Sequence, residues 1–147
     1  MNFTNIAKHT SCDCLLSAVE NTTDTFVRSV RKSNNLSESD FRNHIERHKT
    51  ALNPDDCNEL CGLHGVSFEI WNDDSAEPLM EKYLATAAIS PMFKKNLCVI
   101  KFMPNSGVVK HTPNQKEYNE FHYDFYKDDS FVINNLELVK MIPLIVA

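Results

Sequence analysis

Residues 97–111, Leu97-Cys98-Val99-Ile100-Lys101-Phe102-Met103-Pro104-Asn105-Ser106-Gly107-Val108-Val109-Lys110-His111, carry a strong β signal. The apolar run from Leu97 to Met103 predicts a strand. Pro104-Asn105-Ser106-Gly107 predicts a four-residue hairpin turn, and Val108 to His111 the returning strand. Thr112-Pro113-Asn114 then breaks the pattern. Downstream, residues 118–126 alternate, with Phe121, Tyr123 and Phe125 on one face and Glu120, His122, Asp124 and Tyr126 on the other. Lys127-Asp128-Asp129-Ser130 reads as a turn. Phe131 to Ile133 and Leu136 to Ile142 supply further β-segments, and the apolar Met141 to Ala147 reads as a last strand.

Upstream of Val66 the apolar period is helical. Leu15, Val19, Thr22, Phe26 and Val30 predict a helix over 13–32, capped at Ser11 or Asp13, with Arg31-Lys32 suiting its C-terminal dipole. Ser37-Glu38-Ser39-Asp40 offers a capping box to a second helix lined by Phe41, His44, Ile45 and His48. Asn53-Pro54 starts a third, on which Cys57, Leu60 and Cys61 share a face. Val66, Phe68 and Ile70 then alternate with Ser67, Glu69 and Trp71 as a half-buried strand. Asn72-Asp73-Asp74-Ser75 turns into a fourth helix striped by Leu79, Met80, Tyr83, Leu84 and Ala87, which Ser90-Pro91 ends. The expectation is an α+β fold over 1–147 as a single domain. Its helical first half packs on a mainly antiparallel sheet of four to six strands formed by the second half.

At 147 residues and 42% hydrophobic content the chain can bury roughly two-thirds of the surface its unfolded form exposes. No apolar run approaches the ~20 residues that span a bilayer. Met1 to Lys8 lacks the charged start and apolar centre of a secretory signal. Five irregularly spaced cysteines, an odd count, suit reduced thiols better than a disulfide scaffold, so a cytoplasmic setting is expected. Three glycines, Gly62, Gly65 and Gly107, exclude glycine-rich phosphate loops. A formal charge of −5 argues against a general nucleic-acid binder, and neither nucleic acid nor membrane is expected as a partner. Between residues 50 and 81 eight acids occur without a single Lys or Arg.

Three constellations bear on chemistry. Cys14, at the predicted start of the first helix, is placed where the helix dipole favours a thiolate. With His122 or His111 on a later β-segment and Asp124 sharing a face with His122, it follows the logic of a cysteine–histidine hydrolase. The order, helical then β, loosely looks like a papain-like fold. A zinc site is a second alternative: His44 and His48 form an i,i+4 pair, and Cys57 with Cys61 repeats that spacing on the next predicted helix. The aromatic strand 118–126 is the third. Its companions Glu120 and Asp124 are wrong for an RNA platform, which leaves Tyr118, His122 and Tyr126 as its surface candidates.

With nucleotide and phosphate motifs missing, the expectation is a small protein-binding or regulatory domain with no cofactor. Its expected partner is another protein with a basic surface. The binding residues proposed from the sequence are Trp71, Asp73, Asp74 and Glu77, an aromatic anchor within charge.

Overall fold

A computed structural model describes residues 1–9, 11–31, 34–53, 55–90, 93–113 and 119–145. Lys32, Pro54, Pro91, Asn114, Tyr118, Val146 and Ala147, which the sequence reading assigns to helix ends, breaks and strands, lie outside them. Six strands, β1 (Thr25–Val30), β2 (Val66–Trp71), β3 (Asn96–Phe102), β4 (Gly107–His111), β5 (His122–Lys127) and β6 (Leu136–Pro143), form one sheet. Their order is β4-β5-β2-β1-β3-β6, and every pairing is antiparallel. Helices are α1 (Thr4–Ala7), α2 (Cys57–His64) and α3 (Ala76–Ile89), with 3-10 turns at Glu38–Phe41 and Ile133–Asn135. The class is mostly β. This corrects the α+β expectation, since the central strands β1 and β2 come from the half of the chain expected to be helical.

The predicted helix over 13–32 is the largest departure. Asn21 ends any helical path there, because its side-chain oxygen accepts from the amides of Thr23 and Asp24 in a tight turn. Thr25–Val30 then pairs with both β2 and β3. Phe26 and Val27 are adjacent and both fully buried. A strand covered on two faces loses the period-two alternation that marks a half-exposed one, and the four-residue step from Phe26 to Val30 imitates a helix. The second predicted helix shrinks to the turn Glu38–Phe41, whose Phe41 is buried under the sheet. The third survives as α2, capped by Asp56, whose carboxylate accepts from Asn58 N and Glu59 N.

Pro104–Gly107 does form a turn, but β3 and β4 do not pair. They stand four places apart in the strand order. Laid flat, four strand spacings span ~19 Å, while the five residue steps from Phe102 to Gly107 reach at most ~17 Å. The sheet must therefore curl. The side chains agree: the rings of Phe102 on β3 and Phe125 on β5 stack at 4.2 Å between centroids. Phe26, Phe68, Ile100, Phe102 and Phe125 fill the concave side, closed by Phe41 and Phe131. On the convex side Leu79, Tyr83 and Ala87 of α3 pack on Val27, Leu97 and Val99. Each fully buried Val, Leu, Ile or Phe among these stabilises the fold by ~1.5–3 kcal/mol.

A third cluster ties the N-terminal segment to α2. Cys12 is bonded to Cys57 and Cys14 to Cys61, around buried Leu60. Two disulfides point to an oxidising, extracellular or secreted environment, which corrects the cytoplasmic expectation. The odd count is explained by Cys98, a free thiol with no exposed surface in β3. No helix among the described residues is long and apolar enough to cross a membrane.

Candidate functional site

One groove of about 900 Å³ opens between α2 and the β4–β5 pair. Gly65, at the end of α2, lets the helix approach this closely: a Cβ there would meet the Asp124 carboxyl group at 2.8 Å. Asp13, Cys57 and Cys61 line one wall, and Lys110, His122 and Asp124 the other. His122 is half-buried, with Nδ1 2.8 Å from the carbonyl oxygen of Thr112, so it donates there. Asp124 is buried, and burial pushes its carboxyl group above the ordinary range, opposed by nearby His122.

The structure thus gathers His122 and Asp124 on one wall, as their shared strand face requires. It does not supply them with the expected Cys14 thiolate; the side chain nearest His122 Nδ1 among the described groove residues is the Thr112 hydroxyl, at 2.9 Å. The Cys14 sulfur is bonded to Cys61, so there is no thiolate to activate, and Cys14 lines a different cavity with Met1, Phe3 and Leu15. His111 stands apart, its Nε2 2.6 Å from the carbonyl oxygen of Glu120 and its ring against Tyr123. The remaining thiol, Cys98, is held up at about 12 by burial. The papain-like arrangement is absent from this oxidised form, because the expected first helix is replaced by a disulfide-bonded segment.

The zinc constellation disperses for the same reason. Cys57 and Cys61 carry their sulfurs in disulfides, and a disulfide sulfur is not a thiolate ligand. His44 and His48 lie on a turn rather than a helix, with His48 in the left-handed conformation at φ 63°. His44 Nδ1 sits 3.0 Å from the Arg47 guanidinium. Its pKa is lowered by burial first and by Arg47 second. Among the described residues no three His, Cys, Asp or Glu side chains converge as a metal-ligating group.

Of the aromatic-strand candidates, Tyr126 is buried, which corrects its reading as a surface residue. Strand β5 is covered on both faces where α2 leans over it, so alternation again fails to separate inside from outside.

The remaining candidate surface surrounds Trp71. Asn72 shapes it: its side-chain oxygen accepts from the amides of Asp74 and Ser75, at 3.0 and 2.9 Å. Ser75 Oγ in turn donates to the carbonyl of Ile70 at 2.7 Å. This locked turn leaves Asp73, Asp74 and Glu77 exposed, and among the described residues none of their carboxylates has an ion-pair or hydrogen-bond partner. Trp71 itself is only partly exposed, packed against the cluster of Val27 and Leu79. Its free area is therefore smaller than a projecting anchor has. The sequence reading missed Lys140, whose Nζ lies 5.7 Å from the Trp71 ring centroid. Residues 69 positions apart give no local sign of such contact; it emerges only from the strand order. Other acids of the segment are structurally engaged. Glu69 is buried beneath Tyr83, and Glu59 accepts from the amides of Leu52 and Asn53.

Comparison with protein-family models, curated proteins and solved structures returns no match.

Proposed function

We propose that the chain is a non-catalytic binding domain of an oxidising environment, which captures a basic protein at the rim formed by Trp71, Asp73, Asp74 and Glu77. One observation carries this reading. The Trp71 ring already accepts a cation, the Lys140 ammonium at 5.7 Å, while three rigidly presented carboxylates beside it have no partner of their own among the described residues. An aromatic face within carboxylates suits a Lys or Arg side chain, which gains cation–π attraction and charge pairing together. The surrounding negative field speeds encounter with a basic surface at low salt.

Trp71 is the only tryptophan, so its fluorescence reports this surface alone. Titration with an oligo-arginine peptide is expected to shift the emission in a saturable way that weakens as salt rises. Asp73→Asn with Asp74→Asn is expected to weaken binding at least tenfold, about 1.4 kcal/mol. The same loss of charge at exposed Asp55 and Glu120 is expected to leave it nearly unchanged. No spectral response, or equal weakening by both double variants, overturns the reading.

A further inference from the structure

Strand β6 closes one end of the sheet, and among the described residues no strand lies on its outer side. Such an edge presents unpaired amides and carbonyls to any chain that can align with it. Four consecutive residues of β6, Glu137 to Lys140, are exposed, including Leu138 at 38% and Val139 at 48%.

The register with β3 fixes where these side chains stand. Lys140 lies opposite Val99 and Glu137 opposite Lys101, while Leu138 lies opposite Ile100. Val99 faces α3 and Ile100 faces the concave core. Glu137 and Lys140 therefore share the α3 side of the sheet and Leu138 takes the other. Residues three apart cannot share a face in a regular strand. They do so here because the pairing slips by one residue between Val99 and Ile100, leaving Val139 as a bulge. With Val139 set aside, Glu137 and Lys140 flank Leu138 symmetrically.

We infer that β6 pairs antiparallel with β6 of a second copy of this chain, about a two-fold axis through Leu138. That axis places Glu137 of each copy opposite Lys140 of the other, on the same face, twice. Isologous pairing of this kind needs a self-complementary surface, and opposite charges directly across a strand pair favour it. Proteins blunt an exposed edge with a lysine that repels its own image. Here the lysine is met by a glutamate at the symmetry-related position. Among the described residues Glu137 forms no ion pair with Lys101 of its own chain, and the Lys140 ammonium lies against the Trp71 ring with no carboxylate partner. Pro143, which lacks an amide hydrogen, bounds the pairing at the C-terminal end of the strand.

Sedimentation equilibrium of the oxidised full chain at low ionic strength tests this. The wild type is expected at twice the chain mass. E137K and K140E each replace two attractions by two repulsions and are expected at the single-chain mass. The double variant E137K/K140E restores the pairs with their signs exchanged and is expected to return to twice the chain mass. Far-UV circular dichroism checks that each variant is folded. A wild type at single-chain mass up to its solubility limit, a dimer untouched by either single reversal, or a folded double variant that stays monomeric overturns the inference.

Discussion

The Tyr83 phenol donates a hydrogen bond to the Glu69 carboxylate beneath α3, joining helix to sheet where both side chains are buried. Asn119 Nδ2 donates to the other Glu69 oxygen at 3.0 Å, and Lys82 stands 3.6 Å away at the rim. A carboxylate withdrawn from water this far depends on such partners. Tyr83→Phe removes one and is expected to cost ~1–3 kcal/mol in denaturant unfolding. The Tyr83 pKa is raised well above its ordinary value, by burial first and the Glu69 charge second. A raised folded pKa stabilises below the unfolded value of 10.0 and loses that contribution as pH rises beyond it. Alkaline unfolding of Tyr83→Phe is therefore expected to be less steep above pH 10 than that of the wild type.

Asp128 ties the N-terminus to the turn after β5. Its carboxylate accepts from the Ser130 hydroxyl, from Asn2 N at 2.6 Å and from Ser130 N at 3.0 Å. The Ser130 hydroxyl is the largest cause, followed by the Asn2 amide, that lowers its pKa from 3.8 to about 2. A depressed folded pKa stabilises above 3.8 and loses that contribution as pH falls through about 2. Asp128→Asn is expected to lower the melting temperature at pH 7, with the gap to the wild type closing as pH falls towards 2.

Gly107 opens β4 against β5 where no side chain fits. A Cβ there would lie 2.2 Å from the Tyr126 carbonyl oxygen and 2.7 Å from the Phe125 ring. Neither atom can yield without disturbing the β4–β5 pairing, which begins at Gly107 and Lys127. Gly107→Ala is expected to destabilise the protein by ~2 kcal/mol or more, read as a lower midpoint in urea at unchanged slope.

The strands that alternate, and the helix with a regular apolar stripe, were legible from sequence. Val66, Phe68 and Ile70 mark β2, the Leu97 run marks β3, and Leu79, Tyr83 and Ala87 mark the face of α3. Strand β1 was not, because Phe26 and Val27 are buried on opposite faces and leave no period to detect. The turn at Pro104–Gly107 was visible, but its strands pair elsewhere, since curvature of the whole sheet decides that and no local residue encodes it. The candidate site divides the same way. Exposure of Asp73, Asp74 and Glu77 follows from a turn that Asn72 and Ser75 announce. Partial burial of Trp71 and the approach of Lys140 follow from α3 packing and strand order. The cysteines misled because four of them pair across 45 and 47 residues, and connectivity is not written in spacing.

Pairing of those four cysteines points to an oxidising environment and removes thiolate and thiolate–metal chemistry at Cys12, Cys14, Cys57 and Cys61 together. The most direct measurement is peptide mapping after alkylation with iodoacetamide under denaturing, non-reducing conditions. One alkylated residue, Cys98, is predicted, with Cys12 linked to Cys57 and Cys14 to Cys61. Alkylation of all five cysteines in protein secreted from an oxidising compartment, or a free Cys14 thiol, contradicts it.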